Sequence, residues 1–480
     1  MKNTLAPINQ IPPEILTLIP DSWEKYDKDK GIITLTHTCR AWREMFISRS
    51  SLWTDFRCED TDKTRVYLER SKSSPIDLWI ERYEGLSPDD PFLEIDPGTI
   101  RRLKSLFIYG SPEVFQVITA RLSHPVPLLE SLDIEVEDGS ELEQDPVLIS
   151  TLFDGDLSSL RMLRLLSVRT VLPWRNMVNL TSFTLGYTLS GEVSIKQLLD
   201  FFESAPRLCK VRLNSATPIF GAQSGRLVSL ACLEKMEILK GEPPSLLLDH
   251  LLIPVGAELI TRVDSFGHID DHLPRSLDNL RNLSNFTKIY LSVSKFWPHL
   301  QFSGPSGKFS MTASRVHTAL SVLEFLARFD TSKTERLKIA YNNPPSEDPH
   351  QALLPMEGLH TLTLFRCQSP HTFTDVLHPS MSSEVVVCPR LEELIFVPRT
   401  NEEDFEIERV INMAAARASR GAKLARVRIL DKDGKFDPGS VMELGKHVLH
   451  VECGPGVDVI NDDRDDSDDD SDDSEEMVLW

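Results

Sequence analysis

Two short segments of this 480-residue chain carry residues that could bind a phosphate or a metal ion. Gly304, Gly307 and Lys308 have the composition of a phosphate-binding loop, but the glycines stand too close together and no Ser or Thr directly follows the lysine. The segment that starts at Asp431 begins like a calcium loop, but Met442 takes the twelfth position, which needs a bidentate Glu. We therefore expect neither site, and a simple turn between two strands after Asp431.

A third segment could hold a metal ion. His268, Asp270 and His272 would converge if this stretch were helical, but Pro274 follows closely and no further ligand is evident. A solvated loop is the preferred interpretation. The chain contains no Gly-x-Ser-x-Gly nucleophile motif, and its seven cysteines form no Cys-x-x-Cys pair. The sequence therefore predicts a protein that is not an enzyme and has no cofactor and no metal site.

The bulk composition restricts the class of partner. The formal net charge is −21, which argues against nucleic acid as the main ligand. No secretory signal is visible, and no apolar run approaches the roughly 18 residues of a membrane span. The scattered cysteines fit a reducing compartment. We expect a cytoplasmic or nuclear protein that binds neither membrane nor nucleic acid.

The N-terminal residues predict a small helical module. Pro12 and Pro13 suit the first turn of a helix, in which Ile15 and Leu16 form an apolar stripe. A second apolar face, with Trp42 in its middle, recurs at three- and four-residue steps between residues 32 and 46. A module this small depends on aromatic anchors for much of its packing. The alternative is a helical cap on the repeats that follow.

The order of three motifs in this region resembles the F-box. They are Ile-Pro-Pro-Glu-Ile-Leu at 11–16, Cys-Arg-Ala-Trp-Arg at 39–43 and Leu-Trp at 52–53. The F-box is a three-helix module that binds the Skp-type adaptor of a cullin–RING ubiquitin ligase. The resemblance implies that residues 1–57 form such a module. The adaptor-binding residues that it implies are Pro12, Glu14, Ile15, Leu16, Leu52 and Trp53.

From residue 76 onward an apolar phrase, Leu-x-x-Leu-x-Leu with aliphatic substitutes, recurs at steps of about 20–33 residues, which is roughly the leucine-rich repeat period. The last two apolar positions alternate as in a half-buried strand. Amphipathic stretches at 195–202, 316–329 and 405–418 predict helices between strands. The middle apolar positions are Leu78, Leu106, Leu132, Leu163, Phe183, Val211, Met236, Val263, Ile289, Leu337, Leu362, Leu394, Val427 and Val451.

Two segments interrupt the repeats. Residues 297–312 predict an inserted hairpin or irregular loop, and residues 342–350 a surface loop. The phrase Tyr-Leu-Glu-Arg-Ser at 67–71, followed by Pro-Ile-Asp-Leu at 75–78, is similar to the junction in mushroom-type fungal F-box proteins. We therefore expect an α/β fold with three parts: an F-box-like module at 1–57, a parallel-strand leucine-rich-repeat solenoid at 58–460, and an acidic disordered tail at 461–480.

Charged positions beside the apolar strand residues predict a basic concave face. Acidic residues at three such positions, Glu237, Asp264 and Glu393, oppose this charge. A basic face would suit an acidic or phosphorylated target, although scattered Lys and Arg on exposed strand positions are common. The basic residues are Arg164, Lys210, Arg212, Lys235, Arg262, Lys288, Arg336, Lys338, Arg426 and Arg428.

Two functions follow from these patterns. The first is a substrate-recognition subunit of an SCF-type cullin–RING ligase, whose repeats hold an unknown target protein. The alternative is a non-ligase interaction scaffold with a helical N-terminal cap. Ser467, Ser471 and Ser474 stand among acidic residues and are candidate phosphorylation sites, although the tail could also serve only solubility.

Overall fold

The computed structural model describes a chain of helices alternating with short strands. The described residues are 11–16, 19–23, 25–58, 60–82, 92, 95–137, 153, 157–168, 177–186, 193–215, 225–240, 243–263, 272–274, 276–293, 299–313, 325–341, 349–367, 370–379, 385–398, 405–430 and 437–454. The three candidate phosphorylation sites, Asp264 and Asp431 lie outside these residues.

The strands are short, and most of them coincide with the predicted repeat phrases. They are β1 (Asp55–Arg57), β2 (Ile76–Arg82), β3 (Leu103–Gly110), β4 (Ser131–Val136), β5 (Met162–Leu166), β6 (Ser182–Gly186), β7 (Lys210–Asn214), β8 (Val228–Ser229), β9 (Lys235–Leu239), β10 (Leu251–Leu252), β11 (Glu258–Val263), β12 (Lys288–Val293), β13 (His299–Gly304), β14 (Gly307–Ala313), β15 (Arg336–Tyr341), β16 (Thr361–Phe365), β17 (Glu393–Val397), β18 (Arg426–Leu430) and β19 (His450–Gly454).

The described α-helices connect many of these strands. They are α1 (Pro13–Leu16), α2 (Lys25–Thr38), α3 (Arg40–Ser48), α4 (Thr61–Ser71), α5 (Pro97–Ile100), α6 (Pro112–Arg121), α7 (Ile195–Ser204), α8 (Ser245–Leu248), α9 (His350–Leu353), α10 (His371–Leu377), α11 (Ile407–Ser419) and α12 (Pro438–His447). None of the described helices has the length and apolarity needed to cross a bilayer.

The chain separates into two compact units, and the division falls inside the repeat region. The first unit comprises residues 1–263 and 273–280. Its main sheet is parallel, with the order β1-β2-β3-β4-β5-β6-β7-β9-β11. β8 and β10 form a separate parallel pair. The N-terminal helices therefore belong to the same unit as the first strands of the repeats.

The second unit comprises residues 264–272 and 281–480. Its parallel strands have the order β12-β15-β16-β17-β18-β19. The other edge of β12 pairs with β13, and β13 pairs with β14, both in antiparallel fashion. This is the hairpin predicted for the interruption at 297–312. The glycine-rich segment 304–307 is the turn of this hairpin, and it leads into a strand instead of the helix that follows a phosphate-binding loop.

Alternating burial explains why the repeat phrases form strands. In β5, Leu163 and Leu165 are fully buried, while Arg164 between them lies on the opposite face. The same alternation runs through most strands, so each sheet has one apolar face and one mainly polar face; in β16 and β17 the central residues Thr363 and Ile395, on the second face, are buried as well. In β11 the predicted middle position is wrong, because Leu259, and not Val263, is the residue that pairs with the buried Met236 of β9, and Thr261 pairs with the buried Ile238.

Two of the three predicted helices are confirmed as α7 and α11. α7 begins at a capping box in which the Ser194 hydroxyl accepts a hydrogen bond from the amide of Gln197, and the Gln197 side chain accepts one from the amide of Ser194. Its apolar face is buried, including Leu198 and Phe202. Most of the third segment, 316–329, lies outside the described residues.

Two sequence predictions about chemical segments need correction. His272 is buried instead of solvated, and desolvation lowers its pKa to about 4. The segment after Asp431 does not join two strands, because the described residues that follow it begin α12, with Asp437 accepting a hydrogen bond at the helix start. Met442, the twelfth residue of the supposed calcium loop, lies within this helix.

Candidate functional site

The N-terminal helices pack on the start of the repeat sheet. Trp53 is 1% exposed, and its indole N–H donates a hydrogen bond of 3.0 Å to the carbonyl oxygen of Phe46. The Trp53 ring meets the Tyr67 ring edge-to-face with centroids 5.0 Å apart, and the Arg70 guanidinium lies 4.3 Å from the Trp53 ring. Tyr67 and Arg70 belong to α4, beyond the predicted module boundary. Trp53 therefore joins the helical module to the first repeat.

The predicted adaptor-binding residues divide into buried and exposed side chains. Leu16 and Leu52 are buried together with Trp53, so these three side chains serve the chain's own core. Ile15 is 53% exposed and Pro12 is also exposed. Ile33 on α2 is 41% exposed, and it is not among the adaptor-binding residues that the sequence predicted. The side chain of Glu14 lies outside the described part of the chain.

Three of the five predicted basic residues of the first unit form ion pairs. Arg164 lies 3.1 Å from Asp133 and 3.2 Å from Glu135, both on the neighbouring strand β4. Arg212 lies 3.4 Å and Lys235 2.9 Å from the same carboxylate group, that of Glu237. The prediction of a continuous basic face is therefore wrong for this unit, because neighbouring strands place carboxylates beside the predicted cations.

The second unit contains both neutralised and clustered cations. Arg426 lies 3.5 Å from Glu393, and Arg428 lies 2.9 Å from Glu452. Toward the other end of the strand order of this sheet, Lys288 on β12 is directly opposite Arg336 on β15. Both side chains are exposed, and within the described residues neither forms an ion pair.

Two further lysines complete this group. Lys308 on β14 aligns with Ser303 on β13, which in turn aligns with Lys288. Lys338 is two residues after Arg336 on β15, so the two side chains lie on the same face of the strand. The Lys338 ammonium is 5.3 Å from the Tyr290 ring. We call Lys288, Lys308, Arg336 and Lys338 the basic cluster. Sequence reasoning missed Lys308, although the two-residue turn at Pro305 would have fixed the hairpin register that places it there.

The basic cluster can bind an anion by charge and hydrogen bonding. Four cationic side chains on β12, β14 and β15, with aromatic rings beside Lys338, can hold a phosphate or several carboxylates. Among the described residues, no three His, Cys, Asp or Glu side chains converge as metal ligands would. The exposed position of the basic cluster suits a macromolecular anionic ligand.

No protein-family model matches this chain, and no curated protein matches it either. Function must therefore be inferred from the residues and surfaces themselves.

Proposed function

We propose that this protein is the substrate-recognition subunit of an SCF-type cullin–RING ubiquitin ligase. Its N-terminal helices would bind a Skp-type adaptor, and the polar face of the repeat sheet in the second unit would bind the target protein. The observation that carries this proposal is the exposure of two apolar side chains on the F-box-like helices, Ile15 at 53% and Ile33 at 41%. The proposal places the complex in the cytoplasm or nucleus.

The expected mechanism is proximity. A subunit of this class changes no bond itself; it raises the local concentration of a target near a ubiquitin-loaded enzyme. Such an effect depends on how firmly the two binding regions are held. The buried joint around Trp53 favours this role, since a packed aromatic core holds the helices on the sheet better than a solvated linker would.

The exposed apolar residues Pro12, Ile15 and Ile33 are the preferred adaptor contacts. Ile15→Asp introduces a charge on a surface that would be desolvated on binding, and we expect loss of adaptor from the purified complex. Val255→Asp is a matched control, because Val255 is 60% exposed in the same unit but far along the chain. Adaptor binding that is equal in both variants would reject the ligase proposal.

For the target, the basic cluster supports an acidic or phosphorylated segment. The double variant Lys288→Glu, Arg336→Glu should abolish target capture from native extracts, and added salt should weaken capture by the unmodified chain. The double variant Arg212→Glu, Arg428→Glu is the comparison, because both arginines already form ion pairs. A larger effect of the comparison variant would move the target site away from the basic cluster.

A second candidate function is a non-ligase scaffold. The burial of Leu16, Leu52 and Trp53 in the chain's own core favours it, because this is what a helical cap on the repeats requires. The two candidates differ in one measurable property. A scaffold captures its partners from the extract but brings neither adaptor nor cullin with them.

A further inference from the structure

A second candidate recognition surface, on the first unit, is acidic instead of basic. On the polar face of β2–β4, Trp79 and Phe107 are stacked with ring centroids 4.6 Å apart and an interplanar angle of 35°. Tyr109 follows Phe107 on the same face of β3, and all three rings are partly exposed. Aromatic side chains on a solvent-facing sheet surface are available to a ligand in a way that core rings are not.

Carboxylates surround these rings. The strand register places Tyr109 directly between Glu81 on β2 and Glu135 on β4. Neighbouring strands are about 4.8 Å apart, so the two carboxylates flank the Tyr109 ring on either side. Burial first, and then the negative charges of Glu137, Glu135 and Glu81, raise the pKa of the Tyr109 hydroxyl. The electrostatic potential at the Tyr109 ring is therefore negative.

The whole patch has an excess of negative charge. Among the described residues of this face, the guanidinium groups of Arg57 and Arg164 pair with Glu81 at 3.5 Å and with Glu135 at 3.2 Å. These side chains are 30–37% exposed, so an incoming cation can exchange with either arginine at little cost. The carboxylates on the polar face of β1–β4 are Asp55, Asp77, Glu81, Asp133 and Glu135.

We infer that this face of β2–β4 binds an arginine-bearing segment of a partner protein. One guanidinium stacks on the Tyr109 ring between Glu81 and Glu135, and a second lies over the Trp79–Phe107 pair. Guanidinium groups are planar, weakly hydrated and suited both to aromatic stacking and to carboxylate pairing. A phosphate-rich ligand would be repelled here. The site is separate from the basic cluster, and it adds a partner class that the proposed function does not include.

The direct test uses the full chain and a labelled peptide with three arginines spaced by Gly-Ser, measured by fluorescence anisotropy. A peptide with citrulline at the same positions keeps the shape and removes the charge. We expect binding of the arginine peptide only. Trp79→Ala should weaken this binding about tenfold, while Trp79→Phe restores most of it. Comparable binding of the citrulline peptide would overturn the inference.

Because the chain is acidic overall, a charge-matched control is needed. Glu81→Gln with Glu135→Gln should weaken binding about tenfold or more. Glu357→Gln with Glu408→Gln removes the same charge from exposed positions of the second unit and should change it little. Equal loss in both double variants would mean non-specific attraction and overturn the inference. Circular dichroism melting verifies that each variant is folded, and adaptor binding should be unchanged in all of them.

Discussion

Among single residues, Trp53 illustrates how a side chain typical of a docking motif can be used inside its own chain. The indole N–H is satisfied by the Phe46 carbonyl, and its ring is covered by Tyr67 and Arg70. A side chain that is satisfied and covered in this way contributes to stability first. Its effect on any partner would then be indirect, through the position of the helices around it.

The substitution Trp53→Ala is expected to lower the free energy of unfolding of the first unit by about 3–5 kcal/mol, because it leaves a large cavity and an unpaired carbonyl. Urea unfolding followed by circular dichroism measures this loss. Ile15→Ala is the control, since its side chain is half exposed and the change should stay within about 0.5 kcal/mol. A similar small effect for both would show that Trp53 is not a core residue.

Cys388 provides a second test at this scale. Burial raises the pKa of its thiol to about 12, although the nearby Arg417 guanidinium opposes the shift. Since only the thiolate attacks alkylating reagents, Cys388 should remain unmodified by iodoacetamide at pH 8 in the folded chain. The exposed Cys232 should react readily and serves as the internal control. Mass spectrometry of the digested protein separates the two, and equal labelling would contradict the buried position of Cys388.

Among the elements, the hairpin of β13 and β14 departs most from the repeat pattern. It extends the second unit's sheet beyond β12 and brings Lys308 into line with Lys288. Below it, Phe302 packs against Phe329 and Phe286 with ring centroids 4.6 and 4.9 Å apart. The insertion is therefore a packed part of the unit, and it helps to build the basic cluster.

Gly304, at the turn of this hairpin, should tolerate no side chain. A Cβ there would lie 2.5 Å from the carbonyl oxygen of Asn285, which is backbone and cannot rotate away. Gly304→Ala should cost about 1–3 kcal/mol of unfolding free energy. Gly445→Ala in α12 is the matched control, because nothing lies within 4 Å of its Cβ and alanine favours a helix by up to about 1 kcal/mol. Thermal melting of both variants should show shifts of opposite sign.

The strands could be predicted from the sequence because their signal is local. Leu163 and Leu165 alternate with Arg164, and such a pattern needs no knowledge of the neighbouring strand. The charge of the polar face could not be predicted in the same way. Whether Arg164 meets Asp133 depends on the register between β4 and β5, which are separated by a long stretch of chain. The basic face predicted from Arg164 and Arg212 failed for this reason.

The prediction of the adaptor-binding residues met a related difficulty. The pattern of apolar residues indicates that Leu52 and Trp53 leave water, but not whether they do so against a partner or against their own chain. Ile33 was missed because the helical period alone placed it with Ile32 on one apolar face, whereas only Ile32 is buried. Three-dimensional packing of α2 against α3 decides which side faces outward.

For the whole molecule, charge is distributed in opposite ways on the two units. The polar face of β1–β4 is acidic, and the polar face around β12 and β15 is basic, on a chain with a net charge of −21. A single net charge therefore says little about the partners of either surface. An acidic segment of this same chain, residues 462–476, could compete with an acidic target for the basic cluster.

Deletion of residues 462–476 should strengthen target binding at low ionic strength, because it removes an intramolecular competitor of high local concentration. The gain should disappear near 1 M salt, where the screening length is about 3 Å. Pull-down titrations of the full and shortened chains at both salt concentrations measure this. An unchanged affinity at low salt would mean that the acidic residues do not reach the basic cluster.

The position of Trp53 between α3 and α4 has a consequence for recombining this protein with others. Residues 1–57 do not form an interchangeable cassette, because a junction at residue 57 separates Trp53 from Tyr67 and Arg70 and leaves β1 without β2. A chimera built there would expose aromatic surface on both fragments and invite aggregation. A transplantable piece must keep β1 and α4 with the helices. Gene fusions during evolution would have met the same constraint on where such a chain can be cut.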